Sequence, residues 1–381
     1  MKENSLKFVG NSLFNKDSNI KLNHEDYAFL CNQTIQFLGA NNLSKCVEDK
    51  ELIKEWKNHT INQIRHYHLM LNELNDLTTL LTNNGMIPII LKGFSSAMYY
   101  PNPEYRCLGD IDFILADNSE DMYAKAREIL KDNGYKEKTE KDRQRHIEYF
   151  KNGIEFEMHS YFSIGGRELD KKEDEHLNNC DYVKREINDI SFYSYNDIDN
   201  GIVLLGHIRH HLYSGLGFRQ IIDWIMYAYR VLDDENYKVF KKTSSELGLE
   251  KLGRYIYRLG EIYFNAPHLN WVKDVDDKAV KELYELIIKA GNFGKNLDRK
   301  SKDVVLALNY KMSFKELQRR GESNLINDEN TFFPKKLAFL YEIWRYIRLG
   351  IFERKGAIRN FIKDYKNHRK QKALFEELGI R

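Results

Sequence analysis

The run Asp110-Ile111-Asp112-Phe113-Ile114-Leu115 is apolar enough to form a buried strand, yet it carries carboxylates at two alternate positions. Alternate side chains of a strand share a face, so Asp110 and Asp112 stand side by side while Ile111 and Phe113 point into a core behind them. Removing an ionised carboxylate from water costs several kcal/mol, roughly, unless a partner or a metal compensates it. Repulsion within the pair raises one pKa or demands a cation, and a divalent metal held by oxygen ligands meets that demand. Any fold that accepts this strand must therefore bury one of its faces and open the other to a cleft.

The neighbouring sequence reads as an α/β module. Asn83-Asn84-Gly85 ends a long helical pattern, and MIPIIL follows as a short strand. A short helix over 95–100, the loop PNPEYRCLG, the Asp110 strand and an amphipathic helix over 119–133 come next. Two alternating runs in RHIEYFKNGIEFEMHSYF then meet at Asn152-Gly153, a strong hairpin signal. The second run sets Glu155, Glu157 and His159 on one face and Ile154, Phe156 and Met158 on the other. A third carboxylate brought beside the aspartates completes a metal site, and the spacing leaves Glu155 and Glu157 both open.

Helical periodicity runs upstream over 24–84, through Leu52, Ile53, Trp56, Ile61, Ile64, Tyr67, Leu71 and Leu74. Beyond Asn196 the strand signals stop, and helices are expected over 197–213, 218–232, 234–247, 251–264, 276–290, 335–353 and 355–378. The fold class is thus α+β: an N-terminal helical region over 1–85, a mixed-sheet core over 86–195 and a C-terminal helical domain over 196–381. At 381 residues the chain is long enough for two or three domains. With no repeat, low-complexity segment or Gly/Ser linker, these regions should pack closely, and 291–328, the least periodic stretch, is the candidate mobile loop.

Composition narrows the function classes. The 59 basic and 57 acidic residues leave a net charge of +2, so no broad field marks a nucleic-acid or membrane binder. Cys31, Cys46, Cys107 and Cys180 form no C-x-x-C pair, which disfavours a disulfide framework and a zinc ribbon. The start MKENSLKFVG is not a basic segment followed by an apolar core, and no apolar run approaches the ~20 residues of a spanning helix. The expected location is the cytoplasm.

Leu91-Lys92-Gly93, Tyr100-Pro101, Arg106, Asp110-Ile111-Asp112 and Glu157-Met158-His159 together resemble the nucleotidyltransferase superfamily with the polymerase-β-type core. More narrowly, they are similar to a family of uncharacterised nucleotidyltransferases whose pattern runs LKG, YP, R, D-h-D and later acid-h-His. HIRHHLYSGLGFRQIIDW extends the resemblance into the helical part. The resemblance implies a polymerase-β-like core and transfer of a nucleoside monophosphate from a nucleoside triphosphate, ATP favoured, with release of pyrophosphate. It also implies two Mg²⁺ or Mn²⁺ ions on Asp110, Asp112 and Glu157. The acid-h-His run favours Glu157 over Glu155.

Gly93, Ser95 and Ser96 are then expected at the triphosphate, although Gly93-Phe94-Ser95-Ser96 replaces the superfamily's usual Gly-Ser pair. Lys92 and Arg106 are read as triphosphate or pyrophosphate contacts, the alternatives being a surface charge or a structural partner of Asp110. The acceptor is a small molecule or a protein, with RNA less favoured. The competing class is a non-catalytic or toxin-type nucleotide-binding regulator.

His207 and His211 have the i, i+4 spacing of a zinc pair, but no H-E-x-x-H motif accompanies them. Together with His159 and Arg219 they are candidates for the substrate cleft, against a plainer reading as hydrogen-bonded histidines between domains. A basic run, Arg354, Lys355, Arg359, Lys363, Lys366, Arg369, Lys370 and Lys372, offers an RNA, polyanion or membrane contact, against a solvated helix face.

Overall fold

The structure is a computed structural model that describes residues 2–138, 146–163, 168–292, 295, 318, 321–322, 325, 334–347 and 372–380. The basic run from Arg354 to Lys370 lies outside the described residues, as does most of 291–328.

A seven-stranded mixed sheet organises the middle of the chain, in the order β3-β4-β5-β2-β1-β7-β6. Its strands are β1 (Pro88–Ile90), β2 (Asp110–Leu115), β3 (Lys136–Glu137), β4 (His146–Lys151), β5 (Ile154–His159), β6 (Tyr182–Ile187) and β7 (Ile190–Tyr195). The β4-β5 hairpin turns at Asn152-Gly153, where both residues take positive φ, 52° and 82°. That is the backbone a two-residue turn between twisted strands needs, and Asn and Gly adopt it at least cost. A second hairpin, β6-β7, turns in the same way at Asn188-Asp189. The sequence reading did not single it out.

Helices α1 (Lys2–Leu13), α2 (His24–Asn32), α3 (Leu43–Cys46) and α4 (Lys50–Asn83) precede the sheet. The continuous helical pattern expected over 24–84 is broken, because Thr34 takes positive φ and Val47 bridges Leu22 in parallel. Asp49 then caps α4 through the Glu51 and Leu52 amides. Within and after the sheet come α5 (Phe94–Ala97), α6 (Glu120–Asp132), α7 (Glu168–Asn178), α8 (Asp197–Ser214), α9 (Phe218–Val231), α10 (Asp234–Glu246), α11 (Glu250–Phe264) and α12 (Asp277–Ala290).

Two apolar clusters hold these elements. The smaller packs the second half of α4, including Tyr67, Met70, Leu74 and Leu77, against Ile111, Phe113, Phe156 and Met158 of the sheet. The larger joins Leu6, Phe8, Val9 and Trp56 of the N-terminal helices to Trp224, Ile256 and Phe264 of the later ones. Ile114, on the same face of β2 as the aspartates, belongs to this larger cluster. One face of β2 thus passes from buried apolar contact at Ile114 to carboxylates at Asp112 and Asp110, and the Asp110 end lines a cavity walled by α8 and α9.

Candidate functional site

The site begins with strand register. β2 and β5 run parallel, with Asp110 opposite Glu155 and Asp112 opposite Glu157. Oxygens of Asp110, Asp112 and Glu157 all lie within 4.8 Å of one another. Glu155 turns to another partner, Lys138 Nζ at 3.4 Å, so it is Glu157 that joins the aspartates.

Asp112 is 1% exposed and lies beneath the other two acids. Lys92 Nζ reaches its Oδ1 at 3.1 Å and His159 Nε2 reaches the same oxygen at 2.9 Å. Its Oδ2 is buried with no hydrogen-bond partner. An orphaned carboxylate oxygen is costly, and a cation bound among the three acids would satisfy it, so the residues fit the metal role. His159 also touches Glu157 at 3.2 Å.

Electrostatics differ across the cluster. Burial pushes the Asp110 carboxyl up, and repulsion from Asp112 adds to it, against the pull of Lys92, Arg219 and His159. Burial also acts to raise Glu157, but the His159 hydrogen bond and the Lys92 charge outweigh it and bring its pKa down to about 2. For Lys92 burial opposes the charge, yet the three acids more than compensate and hold its pKa above the ordinary value. The pocket therefore combines a fixed cation with a carboxyl reluctant to ionise without further positive charge.

The cavity above the acids measures about 360 Å³ and is lined by Lys92, Gly93, Arg106, Gly109, Asp110, His146, Glu157, His207, His210, His211, Arg219, Gln220 and Asp223. Among the described residues, no aliphatic or phenyl side chain appears in this lining. Its planar apolar surfaces are imidazole rings, with His207 and His211 in edge contact at 4.4 Å. Burial lowers the His207 pKa well below the ordinary imidazole value, and Lys92, His211, His210 and Arg219 lower it further, so this ring is neutral near pH 7. Arg219 donates from Nη1 to the Cys107 carbonyl at 3.1 Å, which brings α9 against the strand's entry loop.

The remaining expected residues are placed as follows. Gly93 lines the cavity with φ 71°, a backbone conformation that favours glycine. Ser95 and Ser96 are fully buried and are not among the lining residues. The Ser95 hydroxyl donates to the Leu91 carbonyl and contacts Asn200 Oδ1 at 3.3 Å, so it secures α5 to α8. Arg106 lines the cavity, but its Nε and Nη2 each donate to Asp223 at 2.7 Å. Its structural partner is thus Asp223 on α9 and not Asp110. Tyr100 adds a third hydrogen bond to that carboxylate, at 2.7 Å.

His146, Gln220 and Asp223 are not among the candidates expected from sequence, whereas His210 lies on the helix expected to carry His207 and His211 along the cleft. His146 had a legible signal, because it alternates with Ile147 on the first strand of the hairpin and pairs with His159. Asp223 lies within HIRHHLYSGLGFRQIIDW, but its pairing with Arg106 had no local signal, since the two are 117 residues apart.

Among the described residues, no helix is long and apolar enough to cross a membrane. A family described as uncharacterised nucleotidyltransferase matches residues 34–265. No curated protein and no solved structure matches the chain.

Proposed function

The chain belongs to this family of uncharacterised nucleotidyltransferases, and from that premise we propose that it transfers a nucleoside monophosphate from a nucleoside triphosphate to an acceptor hydroxyl or phosphate. The observation that carries the reading is the convergence of Asp110, Asp112 and Glu157 oxygens within 4.8 Å at the floor of a polar cavity. These three acids would hold the divalent ions, Mg²⁺ or Mn²⁺. When bound, the ions neutralise triphosphate charge and favour ionisation of the attacking group. The acceptor oxygen, a hydroxyl having passed its proton to solvent, bonds to the α-phosphorus, the bond from that phosphorus to the bridging oxygen breaks, and pyrophosphate leaves with the electron pair.

The chain's own groups divide the remaining work. Lys92 keeps its proton and supplies fixed positive charge beside the acids. Arg219 and the α8 histidines face the same cavity and take the triphosphate contacts that buried Ser95 and Ser96 hydroxyls do not offer. Gly93 allows close backbone approach. His207, held neutral, can accept a hydrogen bond from an acceptor hydroxyl or donate one to a phosphate oxygen. Arg106 acts by positioning, through its fork on Asp223.

ATP remains the favoured donor from the sequence reading. The described lining residues are glycines and polar or charged side chains, so all four nucleotides belong in the test. A small molecule or a protein is the favoured acceptor.

The second reading, a nucleotide-binding regulator without turnover, draws on one observation. The Lys92 ammonium lies 3.1 Å from Asp112 Oδ1 and His159 Nε2 lies 2.9 Å from the same oxygen, so the chain itself supplies partners to this carboxylate.

Pyrophosphate release from each of the four triphosphates with Mg²⁺ or Mn²⁺, with a cell extract supplying acceptors, separates the two. Release that Asp112→Asn abolishes supports transfer. Nucleotide binding without release favours the regulator, and activity that survives Asp112→Asn defeats the proposed site. Mass spectrometry of the products with labelled ATP identifies the acceptor.

A further inference from the structure

Three donor atoms of different chemistry meet where the end of α7 comes against the start of α8. His176 Nε2 lies 2.7 Å from Asp199 Oδ1 and 3.2 Å from Cys180 Sγ, and the three ligand atoms all fall within 4.8 Å of one another. His176 and Cys180 have the i, i+4 spacing, which keeps them neighbours as the chain leaves α7, and Asp199 sits in the first turn of α8. The Asp199 carboxylate is oriented from behind, because Asn196 Nδ2 donates to its other oxygen at 2.7 Å. Such outer support is characteristic of ligating carboxylates. The imidazole and carboxylate are 29% and 10% exposed, so an ion can enter from solvent.

We propose that His176, Cys180 and Asp199 form a binding site for a zinc-class transition-metal ion, separate from the acid cluster, that ties α7 to α8. The donor set selects the ion. A thiolate and an imidazole suit zinc and its first-row neighbours, whereas Mg²⁺ and Ca²⁺ prefer oxygen alone. Tetrahedral zinc binds sulfur at about 2.3 Å and nitrogen or oxygen at about 2.0–2.2 Å, which spaces donors by roughly 3.4 Å. The side chains therefore need to part by less than about 1 Å, and a water completes the fourth position.

Without metal, His176 Nε2 lies against the Asp199 carboxylate, and the Cys180 thiol donates to the His176 carbonyl oxygen at 3.1 Å. Binding releases the Cys180 thiol proton to solvent and moves the His176 proton to Nδ1, so affinity rises with pH. The site lies eight residues before His207, roughly 12 Å along α8, and it fixes the start of the helix that walls the cavity.

The test uses the full chain, stripped of metal and titrated with Co²⁺ as the probe. One tight equivalent should give sulfur-to-cobalt charge-transfer absorption, and Zn²⁺ should displace it. Cys180→Ser should remove the absorption, and His176→Gln should weaken binding by more than the ~10–100-fold typical of an outer-shell partner. Glu157→Gln should leave the band intact, which separates this site from the acid cluster. Circular dichroism of each variant establishes that it folds. No absorption with wild type, absorption that persists in Cys180→Ser, or absorption lost in folded Glu157→Gln would overturn the proposal.

Discussion

At the scale of single residues, Asp110 and Glu157 show how one cluster pulls two carboxyls in opposite directions. Asp110 is half-buried beside Asp112, and desolvation together with that neighbour's charge holds its folded pKa above the ordinary 3.8. Below that ordinary value both folded and unfolded forms are protonated, and the group is neutral for stability. As pH rises toward the folded pKa, the unfolded chain ionises first and the folded state loses stability. Asp110→Asn should therefore raise the melting temperature of the metal-free chain at pH 7, with no gain below about pH 3.8, as thermal melts across pH will read. The same variant should lose transfer activity. Glu157 runs the other way, its contribution being present above 4.5 and lost as pH falls toward about 2. Pyrophosphate release should drop by roughly 10²–10³-fold or more in Glu157→Gln, on the scale of lost electrostatic catalysis. In Glu155→Gln, whose native partner is Lys138, release should change little. The reverse ranking would shift the active register of β5 by two residues.

A second residue-scale feature is the Arg106 fork on Asp223, buried at both ends with exposures of 6% and 5%. Removing one member of a buried pair strands the other. Asp223→Ala should cost about 3–5 kcal/mol, measurable as a lower urea midpoint. It should also weaken triphosphate binding, because a freed Arg106 no longer holds the loop before β2.

Among elements, α1 and α11 approach each other closely. A Cβ built on Gly10 would stand 1.7 Å from the Phe264 carbonyl oxygen, a backbone atom with no rotamer to yield. Gly10→Ala should cost at least about 1–3 kcal/mol by overpacking, read from chemical denaturation. Gly153, with open space around its Cβ position, is constrained by φ alone. The contrast shows why one glycine was legible and the other was not. Asn152-Gly153 announces a turn from local backbone chemistry, whereas Gly10 matters only because a helix 250 residues later lies against it. The broken helix over 24–84 has the same origin: periodicity reads each turn separately and cannot see Val47 bridging Leu22.

At the scale of the whole molecule, the N-terminal helix and helices far along the chain depend on each other. Leu6, Phe8 and Val9 are fully buried in the cluster that includes Ile256 and Phe264. At about 1.5–3 kcal/mol for each buried apolar side chain, deleting residues 1–13 should remove several kcal/mol. The expected result is a large fall in melting temperature or an insoluble chain, and a truncated chain that melts normally would show that α1 is not part of the core. The helices α8 and α9 pack into this cluster and also wall the cavity, so loss of α1 should reach the site by loosening that wall.

Alternation in DIDFIL and IEFEMH determined from sequence alone that carboxylates share a strand face and that a core lies behind them. Composition set the lack of a broad charge field, and the spaced motifs marked the nucleotidyltransferase core. Those features are local, written in neighbouring residues with a period of two. The acid-h-His run favoured Glu157 over Glu155, but only the tertiary structure set Glu157 opposite Asp112, closed Arg106 on Asp223 and made Ser95 hold α5 to α8. Each of those outcomes depends on register or on contacts between residues scores of positions apart. Local patterning offers many partners of suitable chemistry at such distances, and packing selects one.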